Sequence, residues 1–207
     1  MRGYSDRINH ALAFAAKHLD TQVRKGLRLP YVTHAANVAV ILTHYGCDES
    51  IVVSGVLHDV IEDSVRDGFT ADDLTVRIGA KFGDDVLRTV LSVTRRRHDD
   101  AGVEMSKDDV KDDYLSRLAD ASEDARWVCA AHTLHNAGTI LADLRRTIEP
   151  MTVWSRGGST RDGTVQWYRA VHERLQVSGF DAAIMQELGV MVSELESAPT
   201  VDAPALF

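Results

Sequence analysis

The chain of 207 residues is long enough for one large domain or two small ones and can bury a full hydrophobic core. Hydrophobic residues make up 44% and charged residues 26%, with 14 Gly and 4 Pro, the balance of a globular chain rather than of a disordered or fibrous one. Its 23 basic and 31 acidic side chains leave a net charge of −8, the wrong sign for a protein that lives on nucleic-acid backbone or anionic lipid, while a local basic pocket for one small polyanion stays open.

The N-terminus carries no apolar signal-peptide core, and no apolar stretch approaches the ~18 residues of a spanning helix, so a cytoplasmic protein with no membrane role is expected. Cys47 and Cys129 form no CxxC motif and read as two buried, reduced thiols.

Taken in order, Ile8, Ala11, Leu12, Ala15, Ala16 and Leu19 recur at helical spacing behind the caps Ser5 and Asp6 and predict an amphipathic first helix. After Pro30, a second helix is expected from about Thr33 to Tyr45, closed by Gly46. Asp48 caps a third, central and buried helix from Glu49 to about Glu62. Thr70 opens a short helix ending near Gly83, with Asp73 standing in for the usual Glu of a capping box, and another runs from Asp84 to about Thr94.

The charged, aperiodic stretch from Arg95 to Met105 is expected to be a mobile loop. Ser106 caps the next helix, carrying Val110, Tyr114, Leu115 and Leu118, and a long helix follows from about Glu123 to Arg145. A loop holding Pro150 and Gly157-Gly158 precedes helices over about Thr164 to Val177 and Asp181 to Glu196. Sustained period-two alternation, Asn-Gly hairpin turns and internal repeats are absent. The expected fold is therefore all-α, a bundle of about eight to ten helices forming one domain over 1–196, with a disordered tail over 197–207.

The chemistry concentrates in three places. His58 and Asp59 sit late in the buried helix, and Glu62 and Asp63 follow each of them four residues on, so all four can face one cavity. Burying such charges uncompensated costs several kcal/mol, which makes a divalent cation on His58 and Asp59 an economical answer; the bland alternative is an acidic helix end open to water. His34 begins the second helix, and His132, Asn136 and Thr139 share one face of an otherwise apolar helix, pointing to an internal polar site.

These residues resemble the HD-domain metal phosphohydrolases. Arg24-Lys25, Pro30-Tyr31-x-x-His34, Leu57-His58-Asp59-Val60-Ile61-Glu62-Asp63 and Leu134-His135-Asn136 are similar to the hydrolase domain of the RelA/SpoT family, over about Tyr4 to Leu175. With no synthetase region, the chain resembles the stand-alone small alarmone hydrolases of the metazoan SpoT-homologue type. The resemblance implies an HD-domain helical bundle and a Mn²⁺-dependent enzyme that removes the 3′-pyrophosphate from ppGpp or pppGpp, giving GDP or GTP. It implies His34, His58, Asp59 and His132 as metal ligands, Glu62 and Asp63 as the acids serving the attacking water, and Arg24, Lys25, Asn136, Thr139 and Tyr168 as contacts to the guanine nucleotide. Lys107 and Lys111 stand as candidates for a mobile phosphate-binding lysine or as solvated surface charges.

The sequence departs from the family at one ligand. Ala131-His132-Thr133-Leu134-His135-Asn136 places His where the family has Asp, making the shell one charge unit more positive and leaving metal identity open between Mn²⁺ and Zn²⁺, Ni²⁺, Fe²⁺ or Co²⁺. Cys129 and Gly138 replace a common Lys and Arg. Two rival functions follow: an HD phosphohydrolase acting on another phosphorylated nucleotide, or a non-catalytic nucleotide sensor in which His132 marks a decayed site. Trp154 and Trp167 read as packing aromatics.

Overall fold

Five of the helices begin where a short hydroxyl side chain takes an amide that the first turn leaves unpaired. Ser5 accepts from the Ile8 N–H at the head of α1 (Asp6–His18). In the computed structural model, which describes residues 4–24, 29–63, 69–157 and 160–199, there follow α2 (Val32–His44), α3 (Glu49–Leu57), α4 (Val60–Asp63), α5 (Ala71–Phe82) and α6 (Asp84–Val93). Beyond these lie α7 (Lys107–Ala119), α8 (Glu123–Leu144), α9 (Pro150–Trp154), a short 3₁₀ turn (Ser155–Gly157), α10 (Arg161–Val177) and α11 (Ile184–Ser197). Thr70 and Ser106 build full capping boxes with Asp73 and Asp109. Ser122 and Thr160 cap α8 and α10.

The all-α expectation holds: among the described residues the only extended pairings are isolated bridges, Val23 with Pro30 and His98 with Glu104. Among the described residues, the short α4 and α9 are additions to the expected helices, for two reasons. The helix predicted from Glu49 to Glu62 is interrupted at His58-Asp59, because the His58 Nδ1 lies 2.7 Å from the Gly55 carbonyl oxygen and binds the acceptor that the helical ladder would otherwise give to the Asp59 N–H. Pro150 starts a short helix where a loop was expected, its fixed φ and missing N–H suiting the first helical position.

The segment Arg95 to Met105 is not an unstructured loop. Asp99 Oδ1 accepts from the Ala101 and Val103 amides, Gly102 adopts φ 80°, and Met105 N–H bonds to the Arg97 carbonyl, giving a closed turn. At the other end Ser197 closes α11 and the Pro199 carbonyl accepts from Trp154 Nε1 at 3.1 Å; residues 200–207 lie outside the described residues.

α8 runs through the centre and packs against α2, α3, α6, α10 and α11. Its neighbours come close because Ala125, Ala130, Ala131 and Ala137 are fully buried and small. α3 is buried on every side, from Ile51 through Leu57, and Gly55 lets α2 lie against it, since a Cβ there would overlap Leu42 Cδ1. Cys129 is buried on α8, while Cys47 is only half-buried. No helix among the described residues is long and apolar enough to cross a membrane.

Candidate metal centre

Three elements bring four ligand atoms to one point. His34 Nε2 comes from the first turn of α2, His58 Nε2 and Asp59 Oδ2 from the break between α3 and α4, and His132 Nδ1 from the middle of α8. His58 Nε2 lies 2.7 Å from His132 Nδ1 and 3.0 Å from Asp59 Oδ2. His34 Nε2 lies 3.3 Å from His58 Nε2, 3.2 Å from His132 Nδ1 and 3.4 Å from Asp59 Oδ2. Donor atoms bound at about 2.1 Å to one cation sit about 3.0–3.4 Å apart, and four of these five separations fall in that range, the His58–His132 pair being closer. The longer reach of His than Asp is not felt at position 132, because the ligating atom is Nδ1, which stands as many bonds from the backbone as an Asp carboxylate oxygen.

The neighbours set the tautomers. A carbonyl only accepts, so His58 carries its proton on Nδ1, bonded to the Gly55 oxygen, and turns the Nε2 lone pair inward. His34 Nδ1 meets His135 Nδ1 at 2.7 Å; with the proton on His34, its Nε2 lone pair also faces the cluster and His135 accepts. Tyr31, at the head of α2, donates its hydroxyl to Asp59 Oδ2 at 2.8 Å. Two imidazole lone pairs, one carboxylate and a third imidazole, with partners behind them, fit a divalent cation.

Titration follows this geometry. Burial pushes His34 down to about 4 and His135 down to about 3, the neighbouring His34 adding to the latter, and burial holds His132 well below its ordinary value. Burial also opposes charge on His58 and Asp59, but they offset it for each other: His58 is raised by the Asp59 carboxylate, and Asp59 is held low by His58 and His34. Burial, then the charges of Asp59 and Glu62, pushes Asp63 up to about 6.

A pH prediction follows for the metal-free protein. Between about pH 4 and 6.5, unfolding lets His34, His132 and His135 take up protons that the fold refuses, and makes Asp63 release the one that the fold retains, a net uptake of about two protons. Stability contributed by the depressed imidazoles is lost as pH falls, and the Asp63 contribution runs the other way. His58, with its folded value raised, contributes stability present below about 6.5 and lost above its folded value, and the contribution of Asp59 is lost only below about 3.9. The urea midpoint in chelator should therefore rise from pH 4.5 to 6.5; a flat or falling series refutes the buried-imidazole account.

The remaining expected site residues divide. Glu62 lines a small cavity with His58, Asp59, His132, Val93, Tyr114, Val128, Cys129 and Arg95, of about 10 Å³, room for about one water. Asp63 does not line it; its backbone carbonyl accepts from Gln22. Asn136 joins two parts of the site, its Oδ1 accepting from Arg24 at 2.8 Å and its Nδ2 lying 3.0 Å from His132 Nε2. Thr139 turns its hydroxyl back onto the His135 carbonyl and borders, with His135, an open groove between α2, α8 and α11. Tyr168 is buried in the core, its phenol pushed up to about 12 by burial against the opposing pull of Arg24 and Arg95. Lys25 lies outside the described residues, and Lys107 and Lys111 are exposed, the latter paired with Asp108 at 3.2 Å.

Sequence reasoning quoted Tyr31 and His135 within motifs but gave them no role, and it missed Arg95. Tyr31 and His135 stand three residues from His34 and His132, one helical turn, a spacing that could have flagged them. Arg95 follows Thr94, the cap of α6, and only the fold shows that it lines the cavity.

Residues 11–153 match the HD domain family. The chain is 30% identical over 175 residues to a guanosine-3′,5′-bis(diphosphate) 3′-pyrophosphohydrolase of Drosophila melanogaster, the match covering 83% of this chain and 86% of that protein. It is 31% identical over 138 residues to a GTP pyrophosphokinase of Myxococcus xanthus, covering 65% of this chain but 17% of the relative, so the chain spans less than a fifth of that longer protein. Among solved structures, one of a metazoan ortholog of SpoT, described as hydrolyzing ppGpp and playing a role in starvation responses, aligns with a TM-score of 0.71 at 26% identity over 92% of this chain and 96% of that one. The protein lmo0812 of Listeria monocytogenes shares the fold, with a TM-score of 0.65 at 23% identity over 79% of this chain and 99% of that one. Four converging ligands on α2, on the α3–α4 break and on α8 thus lie within a stretch with known kin: the chain belongs to the HD-domain family.

Proposed function

We propose that the protein is a cytoplasmic, divalent-metal-dependent hydrolase that removes the 3′-pyrophosphate from ppGpp or pppGpp, releasing GDP or GTP. The observation that carries this reading is the His34–His58–Asp59–His132 cluster with Arg24 bonded to Asn136, one helical turn after His132 on α8, which puts a cation for the nucleotide beside the metal ligands.

A bound divalent ion would polarise a phosphoryl oxygen and acidify a water. Glu62, on the same small cavity as His58, Asp59 and His132, is placed to take the proton of that water. Attack of the water oxygen on phosphorus breaks the bond to the ribose 3′-oxygen, which leaves with a proton, and pyrophosphate departs. Arg24, its guanidinium 5.8 Å from the Tyr31 ring centroid, holds the guanine nucleotide together with Asn136, and the family resemblance adds Lys25, Thr139 and Tyr168 as nucleotide contacts. Mn²⁺ is the metal of this reading, with Zn²⁺, Co²⁺, Ni²⁺ or Fe²⁺ as the alternatives that a third imidazole favours.

Purified protein with Mn²⁺ and ppGpp should yield GDP and pyrophosphate on ion-exchange chromatography. Turnover of a different phosphorylated nucleotide and not of ppGpp would replace the alarmone with another substrate, and nucleotide binding without any turnover across the metals would make the protein a sensor.

A further inference from the structure

Arg95 combines three features that the proposed reaction has not yet used. Arg95 lines the cavity shared by His58, Asp59, Glu62 and His132, its Nη1 stands 3.7 Å from Glu62 Oε1 of that lining, and its side chain is 41% exposed, so it reaches both the cluster and incoming solvent. Its guanidinium makes no hydrogen bond among the described residues. The nearest acid, Glu62 Oε1, stands 3.7 Å from Nη1, beyond hydrogen-bond reach, because Glu62 is held instead by the Arg95 backbone N–H, 3.2 Å from Oε2.

Nearby arginines are committed elsewhere. Arg96 is bonded to Asp100 and Asp113, and Arg117 to Asp113 and to the carbonyls of Ser92 and Thr94. Arg24 is bonded to Asn136. Arg95 is instead held by the indole of Trp167 on α10, its Cζ 5.8 Å from the ring centroid, a contact that positions the planar group while leaving its N–H edge free. A guanidinium that makes no side-chain hydrogen bond among the described residues and only a long ion pair to Glu62, beside a cavity fit for a cation, is matched to a phosphate, whose non-bridging oxygens accept two parallel N–H bonds.

We propose that Arg95, positioned by Trp167, binds the phosphate group presented to the metal cluster and is a catalytic residue of the site. This deepens the phosphohydrolase reading and rests on it. It assigns the second cation of the site: Arg24 engages through Asn136, and Arg95 acts beside Glu62, where Cys129 stands in place of the cation common in the resembling family. The ligand class is a phosphate monoester or anhydride terminus, whichever nucleoside carries it.

The test is calorimetric titration of inorganic phosphate and of pyrophosphate into metal-loaded protein, comparing the natural protein with R95Q, R95K and W167L, with bound metal measured by elemental analysis and folding by thermal denaturation. R95Q should weaken phosphate binding tenfold or more at unchanged metal content, R95K should lose less than R95Q, and W167L should fall between R95K and the natural protein. Unchanged phosphate affinity in a folded R95Q overturns the proposal. So does an affinity that falls only in step with metal content, since Arg95 would then merely support the cluster. Because inorganic phosphate carries no base, failure of ppGpp hydrolysis with the R95Q effect intact would sink the alarmone reading and leave Arg95 standing.

Discussion

Glu62→Gln is expected to lower turnover by on the order of 10² to 10⁴, the range that a positioned general base contributes, while bound metal stays at its natural content. Asp63→Asn should cost less, on the order of tenfold. The two acids are adjacent in sequence, and the fold separates them. Glu62 borders the cavity that holds about one water, and its Oε2 is fixed by the Arg95 amide at 3.2 Å, leaving Oε1 beside the guanidinium. Asp63 is pushed up to about 6 by burial and by the charges of Asp59 and Glu62 and does not line that cavity, so its loss is expected to matter less to the water. Rates measured with metal content in parallel decide the matter: equal losses for the two variants, or loss of metal in Glu62→Gln, would remove Glu62 from the role of base.

The helices were legible in sequence because their signals are local. Ser5, Thr70 and Ser106 announce helix starts one turn ahead, and each accepts an amide where expected. What the sequence left dark depends on atoms that meet across long separations. The His34–His135 contact joins residues 101 apart, and Tyr31 meets Asp59 across 28. Neither spacing is a helical repeat, so no periodicity could reveal the pairing. The break at His58-Asp59 was equally invisible, since an uninterrupted apolar run reads as one helix until a side chain claims a backbone carbonyl. Arg95 was absorbed into a charged stretch because charge alone does not distinguish a solvated arginine from one facing a cavity. The four metal-ligand candidates meet because the fold gives α2, the α3–α4 break and α8 a common point.

His132→Asp should invert metal preference. The natural shell offers three imidazole nitrogens and one carboxylate, and imidazole suits Zn²⁺, Co²⁺ and Ni²⁺, whereas Mn²⁺ favours carboxylate oxygen. Substituting Asp restores a second anionic oxygen at the same number of bonds from the backbone, so the Mn²⁺-to-Co²⁺ affinity ratio should rise at least about tenfold, or about 1.4 kcal/mol. The hydrogen-bond network reinforces the direction. A cation on His132 Nδ1 requires the proton on Nε2, which then points a donor at the Asn136 amide already claimed at its other end by the Arg24 donor. One amide offers one oxygen to two donors on opposite sides, so either the Arg24 bond or the His132 bond is forfeited. An Asp at 132 accepts from Asn136 Nδ2 while Oδ1 keeps Arg24, and the conflict disappears. By the same reasoning Asn136→Asp in the natural background, able to accept from both sides, should tighten metal binding by about 10- to 100-fold. Competition against a chromophoric chelator measures all of these affinities without substrate. A His132→Asp variant with an unmoved Mn²⁺-to-Co²⁺ ratio would show that His132 stands beside the cation rather than on it, and an Asn136→Asp variant with unchanged affinity would show that Arg24 and the metal do not compete for the same amide.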